Sequence, residues 1–230
     1  MEASSSKKKL ELVISRMPRY RNPKRRLEQY QTPSSIVAHL AWTALMRGDL
    51  DDSTILDLGC GDGRLAIAAL LLGAMRAICV DVDEDILVHG LYAISSLFPW
   101  IATRIIYVES DAVGFTARNV DTVVMNPPFG VVRGNKGLDI AFLKTAMRVA
   151  RAVYSIHKYS PGLVNMLYEL AESSGFKLCS HEVVDFEIPM MYETHKRQVY
   201  RVKSVIVILV EKGEVSEQRG ISATRRRASC

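Results

Sequence analysis

From residue 54 to residue 173 short apolar blocks alternate with longer amphipathic ones, and this alternation restricts the fold more than any other feature of the chain. Thr54 to Leu58, Arg76 to Val82, Arg104 to Val108, Val120 to Met125 and Ala152 to Ile156 read as buried strands. Between and after them, Arg64 to Leu72, Glu84 to Leu97, Leu138 to Arg151 and Gly162 to Ser173 read as helices. Pro33-Ser34-Ser35 opens a further amphipathic helix through Ala44 and Leu45, with proline and serine as start signals. Strands separated by helices cannot meet through tight hairpins. They pair in parallel through crossovers, and the sheet they make is covered on both faces. The end of the chain departs from this rhythm: Phe176 to Phe186 and Arg201 to Glu211 are consecutive strand-like blocks with no helix between them. They predict a hairpin with a long charged loop, Glu187 to Tyr200, adding an antiparallel strand at one edge. The expected class is α/β: a mostly parallel seven-stranded sheet, helices on both faces, and an antiparallel C-terminal hairpin.

A chain of 230 residues suits one domain with arms. Thirty basic against twenty-five acidic residues leave a net charge of +5, and the excess sits at the ends. Residues 1–30 are expected to form a basic, partly flexible arm, 31–212 the domain, and 213–230 a basic flexible tail. Within the first arm Met17, Tyr20 and Tyr30 interleave with arginines, a mixture suited to phosphate contact and base stacking. The four cysteines, Cys60, Cys79, Cys179 and Cys230, are far apart and form no CxxC pair. A disulfide framework and a cysteine-rich zinc site are therefore not expected, and no metal is. Neither an apolar leader nor a run long enough to span a bilayer is visible, so the expectation is a soluble protein without a membrane partner. Its place would be the cytoplasm, or also the nucleus in a eukaryote.

Asp57-Leu58-Gly59-Cys60-Gly61-Asp62-Gly63 follows the first strand and opens a helix. Glycines there allow a sharp turn and bring backbone close to a ligand, although a glycine-rich strand-to-helix connection would satisfy the same pattern. The second strand ends at Asp81, about where a carboxylate can accept both hydroxyl protons of an unphosphorylated ribose. The third is followed by Ser110-Asp111, where a carboxylate can accept from an adenine amine. Of the acids that follow, Asp83, Glu84 and Asp85, the last two read as helix N-terminal acids that complement the macrodipole.

The glycine motif resembles that of class I S-adenosylmethionine methyltransferases. The resemblance implies a Rossmann-like methyltransferase domain and assigns Asp57, Gly59 and Gly61 to the methionine end of the donor, Asp81 to its ribose and Asp111 to its adenine. Cys60, Val82, Ala112 and Asn126 complete that set. Asp62 departs from the small or uncharged residue expected in the loop, which leaves the shape of the methionine pocket open.

Asn126-Pro127-Pro128-Phe129-Gly130 follows the strand Val120 to Met125. Two prolines end strand pairing and stiffen the turn, but a rigid exit explains neither the asparagine nor the aromatic. An exocyclic amine conjugated to a ring is a poor nucleophile. The Asn126 side-chain carbonyl and the Pro127 main-chain carbonyl can accept its two N–H groups and disperse the charge that develops on nitrogen. Phe129 can stack on a ring swung out of its surroundings. Asn126, Pro127, Pro128 and Phe129 are the candidate catalytic residues. The motif resembles the Asn-Pro-Pro-aromatic signature of amino-methyltransferases acting on adenine N6, cytosine N4 or glutamine.

Leu27-Glu28-Gln29-Tyr30-Gln31-Thr32-Pro33, Asn135-Lys136-Gly137-Leu138-Asp139 and Val153-Tyr154-Ser155-Ile156-His157-Lys158 narrow the choice. In this order around the catalytic motif they resemble the methyltransferase-like protein 5 family and its archaeal relatives, over roughly Leu27 to Lys212. That resemblance implies adenine-N6 methylation of small-subunit ribosomal RNA. It has Gln29, Tyr30 and Thr32 close over the cofactor, S-adenosylmethionine, with Arg19, Arg21, Arg25 and Arg26 facing RNA. Lys136, Lys196 and Arg197 could join a basic rim on the substrate face. A small zinc-ribbon activator protein is also implied, bound at a sheet edge from either the Phe176 to Glu211 hairpin or the Thr103 to Val108 strand. His157 reads as a hydrogen-bonded structural or RNA-facing residue. The competing readings are a glutamine methyltransferase of the release-factor type, a DNA adenine methyltransferase, and a non-catalytic RNA-binding module. The chain has only a short basic arm where release-factor enzymes carry a helical substrate domain.

Overall fold

The order of elements in the computed structural model follows the sequence pattern closely: α1 (Lys7–Ile14), α2 (Ser34–Met46), β1 (Thr54–Leu58), α3 (Arg64–Leu71), β2 (Arg76–Asp81), α4 (Glu84–Leu97), β3 (Ile105–Glu109), β4 (Thr122–Met125), α5 (Leu138–Val149), β5 (Ala152–Lys158), α6 (Leu163–Ser173), β6 (Phe176–Pro189) and β7 (Val199–Glu211). The structure describes residues 6–189, 199–213 and 230. The seven strands form one sheet in the order β3-β2-β1-β4-β5-β7-β6. The first five are mutually parallel, and β7 runs antiparallel to both its neighbours.

Both faces of the sheet are covered, and the strand residues divide between them with the period of two that a pleat imposes. Ile55, Val124, Ile206 and Ile208 join the core made with α1 to α4. Leu56, Leu58, Val123, Met125, Val205, Val207 and Leu209 join the core made with α5 and α6.

Several features depart from the expectation. Residues 1–30 do not form an arm throughout, because α1 packs on α2 with Leu10 and Ile14 fully buried. Each such side chain contributes roughly 1.5–3 kcal/mol on burial. The run Lys7-Lys8-Lys9 masks an apolar stripe of Leu10, Ile14 and Met17 that closes over the core. The hairpin, in turn, places its antiparallel strand inside the sheet. The stretch Val205 to Leu209 is buried on both faces and fits only an interior position, whereas β6 is exposed without a break from Ser180 to Val183 and forms the edge. Pairing runs out to Pro189 opposite Val199, so the strands take in both ends of the loop expected at Glu187 to Tyr200. Residues 190–198, with Lys196 and Arg197, and nearly all of the expected tail lie outside the described residues. Cys179 on β6 is joined to Cys230 by a disulfide, a pairing the spacing of the cysteines did not suggest. Cys60 and Cys79 are free and buried.

Candidate active site

Strand order reverses between β1 and β4, so the chain leaves their carboxyl ends in opposite directions and a crevice opens there. The loop 59–63 forms one wall, the loop 126–130 another, and the segment 27–32 runs across. Together they enclose a cavity of ≈ 240 Å³. Gly59 has φ +67°, and a Cβ on it would lie 2.7 Å from Cε1 of Phe142, which packs down from α5. Gly90 serves the other side. A Cβ there would come within 2.6 Å of the Asp62 carbonyl oxygen, so α4 approaches the loop backbone closely because position 90 lacks a side chain.

Two acids at strand ends, Asp57 and Asp81, brace the loop. Asp57 Oδ2 accepts from the Ala66 amide at 3.0 Å, at the start of α3, while Oδ1 is buried without a partner. Burial pushes the Asp57 carboxyl well above its ordinary range, against the lowering effect of that amide. Asp81 accepts from the amides of Gly61 (2.9 Å) and Asp83 (3.1 Å). Its carboxyl is raised, again chiefly by burial. Asp111 is exposed and accepts from the Val113 amide at 2.8 Å.

Asp62, the residue that departs from the expected motif, is buried in an ion pair with Arg64, whose Nη2 lies 2.7 Å from Oδ2. Gln31 Nε2 donates to the same carboxylate at 2.9 Å. Burial alone would raise the Asp62 carboxyl; the Arg64 charge and the bonds from Arg64 and Gln31 outweigh it and hold the group below the usual range. Arg64 Nη1 also donates to the Thr32 carbonyl at 3.1 Å.

In the loop after β4, Asn126 Nδ2 donates to Thr32 Oγ1 at 3.0 Å, and Asn126 Oδ1 is buried with no partner. Asn126 and Pro128 line the cavity. Pro127 and Phe129 are outside that lining. Pro127 is buried, and the Phe129 ring meets Phe186 of β6 edge to face at 5.4 Å and 76°.

Every residue expected to hold the donor, Gln29, Tyr30, Thr32, Asp57, Gly59, Cys60, Gly61, Asp81, Val82, Asp111, Ala112 and Asn126, lines the cavity. The segment that carries Gln29 is fastened at both ends. Gln29 accepts from the Lys24 amide and donates to Asp83 Oδ2, each at 2.6 Å, and Lys24 Nζ pairs with Asp83 and Asp85. Burial raises the Asp83 carboxyl, but the bonds from Lys24 and Gln29 win and lower it. Arg19, Arg21, Arg25, Arg26 and Lys136 are exposed. Arg25 and Arg26 sit in a 3-10 turn directly before the segment, and the Arg26 carbonyl accepts from Asn135 Nδ2 at 2.9 Å. His157 is fully buried, bonded to Ser155 Oγ (2.8 Å) and Asp139 Oδ2 (3.1 Å) where β5 meets α5, a structural position.

Glu28, Gln31, Arg64, Asn135 and Phe142 also line the cavity and were not singled out by the sequence. Glu28 is buried in the left-handed region at φ +51°. Its Oε1 accepts from the Val132 amide (2.8 Å) and Asn135 Nδ2 (3.1 Å), tying the segment to the loop beyond the Asn-Pro-Pro-Phe motif. A glutamate between basic residues and Gln29 carries no local mark of burial. Its partners are about a hundred residues away.

Comparison with known proteins gives matches over most of the chain. The family of ribosomal protein L11 methyltransferases (PrmA) matches residues 37–126. The rRNA N(6)-adenosine-methyltransferase METTL5 of Danio rerio is 33% identical over 83% of this chain and 92% of its own length. The Drosophila melanogaster counterpart is 37% identical over 66% and 73%. A crystal structure from Pyrococcus horikoshii superposes with a TM-score of 0.79 at 32% identity, covering 90% of this chain and 98% of that one.

Proposed function

This chain belongs to the METTL5 family of rRNA N6-adenosine methyltransferases, and from that membership we propose that it methylates the N6 amine of an adenosine in small-subunit ribosomal RNA, with S-adenosylmethionine as donor. The observation that carries the reading is the state of Asn126. Its NH2 is engaged by Thr32, and its carbonyl oxygen is buried and free to accept.

The cavity suits that donor. Asp81 has lone pairs beyond those used by two amides and can take the ribose hydroxyls, and Asp111 can accept from the adenine amine. Gly59 and Gly61 bring bare backbone to the methionine end beside Asp57, whose Oδ1 has no protein partner. When bound, S-adenosylmethionine supplies an electrophilic methyl group on a sulfonium.

Asn126 Oδ1 and the Pro127 carbonyl then accept the two N–H groups of the acceptor amine and orient its lone pair. As N6 bonds to the methyl carbon and the carbon–sulfur bond breaks, positive charge grows on nitrogen, and the same two oxygens stabilise it. One proton then leaves N6 for water. Phe129, backed edge-on by Phe186, offers a ring face against which an unstacked adenine is held. Arg19, Arg21, Arg25, Arg26 and Lys136, with Lys196 and Arg197, take the phosphates around it.

The β3 edge is the better candidate for the zinc-ribbon activator. Its outer side has no partner strand among the described residues, and Ile106 is 61% exposed there. Helix α4, which packs on β3, also exposes Val88, Leu91 and Tyr92. Among the described residues no helix is long and apolar enough to cross a membrane. The cytoplasm, or the nucleus of a eukaryote, is where such an RNA would be met.

The test is incubation of the protein, alone and with its activator, with labelled S-adenosylmethionine and separate RNA, protein and DNA fractions. Nucleoside digestion should give N6-methyladenosine from small-subunit RNA, and Asn126→Ala should cut transfer about 10²–10³-fold, the scale for removing one acceptor or donor aimed at developing charge. Label in glutamine or DNA, or full transfer by Asn126→Ala, refutes the assignment.

A further inference from the structure

We propose that Asp62 and Arg64 are positioning residues for the transfer: acting through Thr32, they set the Asn126 side-chain amide so that its carbonyl, and not its NH2, meets the acceptor amine. The inference rests on the role given to Asn126 above.

An asparagine amide has two nearly isosteric orientations, and only one serves this reaction. With oxygen toward the acceptor, the amine's N–H groups find a partner. With the NH2 turned there, two donors oppose each other. Nothing within Asn126 decides between them; its surroundings must. In the structure Nδ2 donates to Thr32 Oγ1 at 3.0 Å, which leaves Oδ1 as the group without a protein partner.

Thr32 can do this only if its own backbone is held. It precedes Pro33, and the first helical bond of α2 runs from the Val37 amide to the Pro33 carbonyl, so the Thr32 carbonyl lies outside the helix ladder. Its donor is Arg64 Nη1, at 3.1 Å. Arg64 is aimed in turn by Asp62, which takes Nε at 3.0 Å and Nη2 at 2.7 Å in a two-pronged contact. Gln31, next to Thr32, closes the ring on Asp62. Asp62, Arg64 and Thr32 are 3%, 8% and 6% exposed.

A buried ion pair is a weak source of net stability, since two well-packed apolar residues commonly do as well. What a guanidinium–carboxylate fork supplies is direction, with five donors in a fixed plane. Here that direction runs from the donor-binding loop to the crossing segment and on to the amide at the reacting centre. It gives a reason for aspartate at position 62, where a small residue would otherwise suit the turn.

The test reads the amide directly. Arg64→Lys keeps a positive charge beside Asp62 but loses the fork, and Asp62→Asn keeps an oxygen while removing the charge. Thr32→Val removes the acceptor at constant shape, and Thr32→Ser restores it. For each folded variant, hydrogen exchange of the Asn126 side-chain NH2 is followed by 15N-edited NMR, its signal identified by its loss in Asn126→Ala. Affinity for S-adenosylmethionine is measured by calorimetry, and kcat on RNA in parallel.

For Arg64→Lys we expect at least tenfold faster NH2 exchange and at least tenfold lower kcat, with donor Kd within about threefold of the parent. Asp62→Asn should move in the same direction by a smaller factor. Thr32→Val should repeat the loss of protection and of kcat, and Thr32→Ser should recover both. Unchanged exchange in Arg64→Lys and Asp62→Asn overturns the proposal, as does faster exchange with undiminished kcat, or a Thr32→Ser variant as impaired as Thr32→Val. Should Arg64→Lys not fold, Asp62→Asn decides by the same criteria. Failure of the parent protein to methylate RNA would refute the functional reading instead, and the exchange data would still report whether Asp62 and Arg64 govern the amide.

Discussion

Replacing Gly59 with alanine should be among the most damaging single-methyl changes available in this protein. Two separable costs meet there. The residue has φ +67°, where a Cβ costs roughly 1–2 kcal/mol. That Cβ would also lie 2.7 Å from Cε1 of Phe142, a ring 6% exposed between α5 and the sheet, and overpacking of this kind costs typically 1–3 kcal/mol. The sum is roughly 2–5 kcal/mol, or a fall in Tm of about 4–20 °C for a chain of this size. Denaturant and thermal unfolding of Gly59→Ala, Phe142→Leu and the double variant measure it. In the cycle the double variant should recover the steric part, about 1–3 kcal/mol, and keep the backbone part, because a smaller side chain at 142 does nothing for φ at 59. Donor affinity should fall with Gly59→Ala and recover only partly in the double variant, since the wall of the cavity is the displaced element. A Gly59→Ala protein as stable as the parent, or a cycle with no coupling, would refute the claim that this glycine exists for the close approach of Phe142.

The raised carboxyl of Asp57 has a sign that can be checked. Between the ordinary aspartate value near ~3.9 and its elevated value, the native state binds more protons at this group than the unfolded chain, so its contribution to stability falls as pH rises through that interval. Asp57→Asn can still accept from the Ala66 amide, and the parent-minus-variant difference in urea midpoint should therefore decline with rising pH; a flat or rising difference contradicts it. Asp62 has the opposite sign: held below its usual range, it contributes above about pH 4 and is lost only as pH falls through its depressed value, so Asp62→Asn should narrow the loss of stability in acid. The exposed arginines should announce themselves through salt. Changing Arg19, Arg21, Arg25 and Arg26 to glutamine should weaken RNA binding and reduce the slope of log K against log salt by up to ~0.7–0.9 for each phosphate no longer neutralised, and an unchanged slope removes them from the RNA face.

Much of this protein was written locally. The strands β1 to β5 and the helices between them are set by apolar runs and turn residues within each segment, and they fall within a few residues of where periodicity predicts them. The glycine motif, Asp81, Asp111 and Asn-Pro-Pro-Phe were legible because each stands at a strand end, and in a parallel sheet all strand ends of one polarity share one edge. Knowing the topology class is then enough to bring them together.

What tertiary structure alone decided is everything whose partner is distant in sequence. That Leu10 and Ile14 turn a lysine-rich stretch into a core helix depends on the surface α2 presents to them. That β7 enters the sheet between β5 and β6 depends on which strand has two apolar faces to cover. Glu28 acquires its role only through Val132, and Arg64 and Asn126 theirs only through Thr32, contacts that come into being when the crossing segment lies down over the crevice. A hydrogen bond between side chains ninety residues apart has no period and no local composition. It is specified by the packed fold that brings its two ends within 3 Å, so sequence order could name the reacting group but not what aims it.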